Sequence, residues 1–85
     1  MNKTVFLGVL LTILSSADTI KEIEKTCNAG DAKSCKIMGD LTRAGLGVDK
    51  DKAKAEYYYD RACFDGNKDA CKELEIMKED ESKSI

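Results

Sequence analysis

The chain has 85 residues, four cysteines, no histidine and no proline, and its formal charge at neutral pH is −2. This length predicts a single small domain, and the mildly acidic balance disfavours nucleic acid and anionic membrane surfaces as partners. The absence of histidine excludes metal and acid–base sites that are built on that residue.

The first seventeen residues have the three-part pattern of a secretory signal. Met1-Asn2-Lys3 is a short basic start, residues 5–14 are mostly apolar, and Ser15-Ser16-Ala17 offers small residues to a signal peptidase. Ten helical residues cover roughly 15 Å, about half a bilayer core, which is too short for a permanent membrane helix. The alternative is an ordinary buried N-terminal helix. Cleavage after Ala17 predicts a periplasmic or secreted chain that begins at Asp18, with its net charge moved from −2 to −3 by the loss of Lys3.

An internal repeat with an offset of 36 residues organises the remaining chain. The overlay places Cys27 on Cys63 and Cys35 on Cys71, so all four cysteines lie in two equivalent brackets. Other equivalent pairs are Asp31 and Asn67, Lys36 and Lys72, Met38 and Leu74, Leu41 and Met77, and Ile23 and Tyr59. A period in the thirties predicts stacked helical hairpins that bury their apolar faces against one another.

Apolar residues at helical spacing predict four helices in chain order. The inward-facing positions are Ile20, Ile23 and Cys27 in the first, Cys35, Met38 and Leu41 in the second, Ala55, Tyr58, Tyr59 and Ala62 in the third, and Ala70, Leu74 and Met77 in the fourth. The absence of proline fits an all-helical chain.

Glycine and aspartate predict where these helices begin and end. The second helix is expected from Asp31 to about Ala44, because Gly45 is a good terminator and opens the turn at residues 45–48. Asp49 or Asp51 can cap the third helix. The fourth is expected from Asn67 to about Lys78, which leaves residues 79–85 as a frayed, charged tail.

Residues 45–63 resemble the signature of Sel-one-like repeats. The matching positions are Gly45, Gly47, Val48, Asp51, Lys54, Ala55, Tyr58, Tyr59, Ala62 and Cys63. Two cysteines with seven residues between them, present twice, resemble the disulfide-linked branch of that family, the Helicobacter cysteine-rich proteins. The resemblance covers about residues 20–78 and implies an all-α solenoid of αα-hairpins, related to tetratricopeptide repeats, with one disulfide in each repeat. The predicted domain, residues 18–78, would hold one full repeat flanked by two half-repeats.

Two positions depart from the pattern. Thr42 stands where the family usually has tyrosine, which predicts looser packing beside the turn. Gly39 predicts the close approach of a neighbouring helix, whereas its equivalent, Glu75, is charged. Glu75 therefore predicts that the fourth helix is the solvated end of the stack.

Paired cysteines in a small protein can bind zinc, act as a redox catalyst or form a structural disulfide. Structural zinc sites and redox catalysts both favour two residues between paired cysteines, whereas seven stand between them here. Four cysteines allow three disulfide pairings. The repeat favours Cys27–Cys35 and Cys63–Cys71, in line with the one disulfide per repeat that the family implies. We therefore expect two structural disulfides, with no metal and no cofactor.

Two surface features are candidates for partner contact. Lys36, Asp40 and Arg43, called the charged row below, lie at i, i+4 and i+7 on the second helix, away from its apolar stripe. Such a row is usually a solvated face, but the first helices of hairpins line the concave surface in this repeat architecture. Tyr57 points away from the stripe that Tyr58 and Tyr59 occupy, so its ring is free to contact a partner.

Function is inferred from what the chain carries and from the resemblance. The motifs of serine β-lactamases, S-x-x-K with S-D-N and K-T-G, do not occur. The leading hypothesis is thus an exported helical-repeat module that binds another protein or peptide. The family implies an alternative, a penicillin-binding protein or weak β-lactamase. A third hypothesis is that the chain is a remnant or companion of a longer repeat protein and completes its stack through exposed end helices. The same helices would allow self-association.

Overall fold

The computed structural model describes the backbone of residues 16–83 and the side chains of residues 18–81. This part of the chain forms four helices, α1 (Ser16–Asn28), α2 (Ala32–Ala44), α3 (Lys52–Phe64) and α4 (Lys68–Lys83). It contains no strand, which confirms the predicted all-α fold. The predicted leader lies outside the described residues, except for Ser16 and Ala17 in the first turn of α1.

The 36-residue repeat is also a repeat of structure. Adding 36 to both ends of α1 gives both ends of α3, and the same shift takes the start of α2 to the start of α4. Gly30 and Gly66 turn the chain with φ of 105° and 104°, a region that glycine enters without steric cost. Their amides donate to the carbonyls of Cys27 and Cys63 at 2.9 and 3.0 Å. The two cysteine brackets are therefore the same hairpin turn.

Local capping determines the turn between α2 and α3. Gly45 ends α2 in the left-handed region with φ of 73°, and its amide donates to the Leu41 carbonyl. Asp51, rather than Asp49, caps α3, because its carboxylate accepts from the Lys54 amide at 3.1 Å. The Asp51 amide donates back to the Thr42 carbonyl at 3.1 Å, which joins the two helix ends.

The core follows the predicted stripes. Ten apolar residues are buried, namely Cys27, Cys35, Met38, Ala55, Tyr58, Tyr59, Ala62, Ala70, Leu74 and Met77. Ile20, Ile23 and Leu41 pack against them and are only partly buried. The close approach predicted at Gly39 is confirmed, since a Cβ there would lie 2.6 Å from Cε1 of Tyr59. Helix α3 therefore packs directly onto the backbone of α2.

Helix α4 is longer than the sequence predicted. It runs through Lys83, so the segment expected to fray after Lys78 is helical for most of its length. Residues 78–83 are mostly good helix formers and include no glycine that could stop the helix as Gly45 stops α2. Lys52 also approaches Glu81 at 3.9 Å, which ties the last turns of α4 to the start of α3. Within the described part of the chain, each helix is too short or too polar to span a bilayer.

Candidate functional site

Both predicted disulfides are present. Cys27 pairs with Cys35 and Cys63 with Cys71, so all four cysteines of the chain are oxidised. The Cα atoms of each pair lie 4.6 and 4.7 Å apart, and each bridge joins the last turn of one helix to the first turn of the next. The bridges therefore fix α1 against α2 and α3 against α4.

The two bridges differ in exposure. Cys27 and Cys35 are completely buried, whereas Cys63 and Cys71 are partly exposed. The difference follows from the position of α3, which packs on the first hairpin. Arg61, in the last turn of α3, donates to the Asn28 carbonyl at 3.0 Å, and the next residue, Ala62, is fully buried. No described helix occupies the equivalent place beside the second bridge.

The charged row is part of a network that crosses three helices. Lys36 Nζ pairs with Asp40 Oδ2 at 2.9 Å, and Asp40 Oδ1 accepts a hydrogen bond of 2.6 Å from the Tyr59 hydroxyl. Arg43 Nη1 pairs with Glu73 Oε2 of α4, also at 2.6 Å. All three side chains of the row are half-buried. The row is thus not simply a solvated face, because helix packing brings Tyr59 and Glu73 against it.

The contacts of the network raise the pKa values of Lys36, Arg43 and Tyr59. The hydrogen bond with Asp40 holds the pKa of Lys36 above its ordinary value. The Tyr59 hydroxyl, followed by Glu73, raises the pKa of Arg43. Burial, followed by the hydrogen bond with Asp40, raises the pKa of Tyr59 to about 12, so its hydroxyl stays neutral and donates. The row therefore presents positive, negative and positive groups in sequence along α2.

A cleft of about 240 Å³ adjoins the C-terminal end of the row. Its lining residues are Arg43, Lys50, Lys52, Met77 and Asp80. Met77 is almost completely buried and gives the cleft an apolar floor. Sequence reasoning did not find Glu73 or this lining, because the repeat spacing does not show which residues of α2 and α4 lie opposite each other.

Tyr57 lies apart from the charged row. It is 55% exposed, its ring centroid is 5.5 Å from that of Tyr58, and its hydroxyl accepts from Arg61 Nη1 at 3.4 Å. It lines a different groove, between α3 and α4. The prediction that Tyr58 and Tyr59 are core residues is confirmed, since both are buried. The charged row and Tyr57 therefore lie on two different surfaces of the protein.

Thr42 lies beside a third opening. Thr42 itself is buried, and a cleft of about 190 Å³ opens next to it between α1, α2 and the following turn. The cleft is lined by Glu24, Met38, Thr42, Val48, Asp49, Asp51 and Lys54.

Residues 18–81 contain no cluster of three or more histidine, cysteine, aspartate or glutamate side chains placed to hold a metal ion. Every buried side-chain nitrogen and oxygen in that range has a hydrogen-bond partner. In the comparisons with known proteins, no family model, no curated protein and no solved structure matches the chain.

Proposed function

We propose that the chain is an exported helical-repeat module that binds another protein through the charged row on α2. The observation that carries the proposal is the fixed order of charge along Lys36, Asp40 and Arg43, held by bonds to Tyr59 and Glu73. Groups that are already positioned lose little conformational entropy when a partner binds. Such a surface favours a ligand with a matching pattern of charge.

The chemistry beside the row supports a polypeptide as the ligand. Protein interfaces combine apolar anchor pockets with polar, hydrogen-bonding surroundings. The cleft next to Arg43 offers this combination, with Met77 as its floor and lysines at its rim. Lys36 and Asp40 then provide polar contacts further along α2. An extended peptide with one apolar side chain and acidic and basic neighbours fits this arrangement.

Two features support export. Disulfides form and persist mainly in oxidising compartments, and this chain carries two. The sequence of residues 1–17 has the order of a secretory signal. The matching repeat of sequence and structure also supports assignment to the disulfide-linked Sel-one-like repeats, which we retain as part of the proposal.

The test uses charge-neutral variants of the row. Lys36→Gln combined with Arg43→Gln removes both cations, and Lys21→Gln combined with Lys33→Gln is a matched control at exposed positions. Affinity capture from the native periplasm or culture medium should recover a partner with the unaltered protein and the control pair, and lose it with the row pair. Equal capture by all three proteins would contradict the proposed surface.

A second assay addresses the alternative. The oxidised protein is incubated with a chromogenic β-lactam and compared with a sample that has been reduced and unfolded. We expect no turnover by either sample. Turnover by the folded protein that unfolding abolishes would replace the binding module with a hydrolase.

A further inference from the structure

The groove between α1 and α2, called the first groove here, shows how this repeat uses such a surface. Helix α3 fills it. The Tyr58 hydroxyl donates to Glu24 of α1 at 3.0 Å, and the Tyr59 hydroxyl donates to Asp40 of α2 at 2.6 Å. Residues at helical spacing on α3 are buried there, namely Ala55, Tyr58, Tyr59 and Ala62.

The equivalent groove between α3 and α4, called the open groove, has no described helix in it. Asp60, Leu74 and Lys78 are the 36-residue equivalents of Glu24, Met38 and Thr42 of the first groove. Together with Ala53, Glu56 and Tyr57 they line an opening of about 290 Å³. The carboxylate that meets Tyr58 in the first groove therefore has a counterpart in Asp60.

Exposed apolar groups accumulate on the same side of the hairpin. Phe64 is 90% exposed and Ile76 45%, and they are the equivalents of Asn28 and Asp40, both of which contact α3 in the first groove. The Cys63–Cys71 bridge is partly exposed, whereas its counterpart in the first hairpin is completely buried. The open groove thus has a buried floor at Leu74 and leaves Phe64 and Ile76 beside it in solvent.

The differences between the two grooves define the chemistry of an occupant. Glu56 stands where the first groove has Ile20, and with Asp60 it places two acids around Leu74. Glu75 stands where the first groove has Gly39, the residue that Tyr59 meets. Burial, followed by the neighbouring carboxyl of Glu81, raises the pKa of Glu56, while Lys52 and Lys78 act in the opposite direction. Lys78 is the one cation among the lining residues. The surface is complementary to a positively charged helix.

Position 75 also selects against an aromatic ring. At Gly39 even a Cβ would lie 2.6 Å from the ring of Tyr59. A full glutamate side chain at the equivalent place on α4 therefore excludes a ring that approaches as Tyr59 does. A lysine or arginine can instead pair with the carboxylate of Glu75.

We infer that the open groove docks an amphipathic helix of a partner protein, with a hydrogen-bond donor facing Asp60, a basic side chain facing Glu75 and small residues facing the Cys63–Cys71 bridge. This surface is separate from the charged row. A second copy of the chain is a poor occupant, because its α1 would bring Glu22, the equivalent of Tyr58, towards Asp60. Like charges in contact oppose that association.

The probe for this inference is a peptide taken from the chain itself. It comprises residues 51–64 with Cys63→Ser to prevent disulfide exchange, and it is made with either Tyr59 retained or Tyr59→Lys. Each peptide is titrated into the isotope-labelled, oxidised full-length protein, and binding is followed by the backbone amide signals in nuclear magnetic resonance spectra. We expect shifts along α3 and α4 around the open groove, with the Tyr59→Lys peptide bound roughly threefold to fivefold more tightly.

Host variants make the test specific. Glu75→Gly recreates the surface of Gly39 and should reverse the preference between the two peptides. Asp60→Asn should weaken binding of the Tyr59→Lys peptide by about threefold, and Glu22→Gln at the opposite end should leave it unchanged. Circular dichroism of each variant checks that it is folded, so that a lost signal can be assigned to binding.

Three outcomes would overturn the inference. The first is the absence of any shift at millimolar peptide. The second is a set of shifts confined to Lys36, Asp40 and Arg43, which would leave the proposed function standing and move the ligand to the charged row. The third is perturbation of the open-groove amides by unlabelled protein alone, which would make a second copy the occupant.

Discussion

The two disulfides should contribute unequally to stability, although they close loops of the same size. Replacing both cysteines of one bridge by alanine, Cys27→Ala with Cys35→Ala or Cys63→Ala with Cys71→Ala, removes the bridges one at a time. Both span a sequence separation of 8. Chain entropy alone gives about 2.5 kcal/mol for a loop of this length. On that basis the two double variants would be equally destabilised.

Burial separates the two variants. The Cys27–Cys35 sulfurs are completely buried beneath α3, so their removal also leaves a small cavity and loses apolar burial, which costs about 1–2 kcal/mol more. The Cys63–Cys71 bridge is partly exposed, and solvent reaches the space that its sulfurs leave. We expect a loss of about 4 kcal/mol for the first variant and about 2.5 kcal/mol for the second.

The assay is urea unfolding of each variant, with its remaining disulfide intact, followed by far-ultraviolet circular dichroism. A common dependence on urea concentration would show that the unfolded states are comparable, so that the midpoints report stability. Equal losses, or a larger loss for the Cys63–Cys71 variant, would show that burial under α3 does not increase the stability that the first bridge contributes.

Three further predictions concern the close contact at Gly39, the two buried tyrosines and the partly exposed disulfide. Gly39→Ala should lower the free energy of unfolding by about 1–2 kcal/mol, because its methyl group would meet the ring of Tyr59, whereas Glu75→Ala at the equivalent exposed position should be close to neutral in thermal melts. Burial, followed by hydrogen bonds to carboxylates, raises the pKa of Tyr58 and of Tyr59 to about 12 in the folded protein. The stabilisation from these two hydroxyls should therefore be fully present below the unfolded tyrosine pKa of about 10 and be lost as the pH rises towards about 12. A rise from 10 to 12 corresponds to about 2.7 kcal/mol for each residue, of which about half is expected because the hydroxyl ends are only partly buried. Urea unfolding at increasing pH should therefore show a smaller alkaline loss for Tyr59→Phe than for Tyr57→Phe, and identical curves would contradict the assignment. Limiting reductant should open the bridge of the second hairpin first, as alkylation and peptide mapping would show, because a thiolate reaches a partly exposed sulfur more readily than a buried one.

Much of the fold was predictable because its signals are local. The repeat offset and the apolar spacing identified all four helices, and Gly45 marked the end of α2. Asp49 and Asp51 could not be separated, since both precede α3 and only the folded geometry shows which carboxylate reaches the Lys54 amide. The end of α4 was placed too early because a run of charged residues has the composition of a tail as well as of a solvated helix.

The surfaces were less predictable because they depend on how helices pack. Arg43 and Glu73 are 30 residues apart, and the overlay aligns Lys36 with Lys72 without indicating that Glu73 faces α2. The sequence predicted from Glu75 that α4 is solvated at this position, and Glu75 is exposed. It did not show that the adjoining groove retains an acidic counterpart of Glu24, since the role of Glu24 is visible only from its bond to Tyr58.

We expect the two bridges, rather than the core alone, to keep the four described helices in the arrangement on which both surfaces depend. Together they supply about 5 kcal/mol, comparable with the lower end of the stability of a whole domain. The most direct test is far-ultraviolet circular dichroism of the protein during heating, with and without reductant at neutral pH, with peptide mapping of Cys27–Cys35 and Cys63–Cys71 in the oxidised sample. We predict a helical, cooperatively melting oxidised protein and a largely unfolded reduced one. A reduced protein that keeps its helices and its melting transition would contradict the claim.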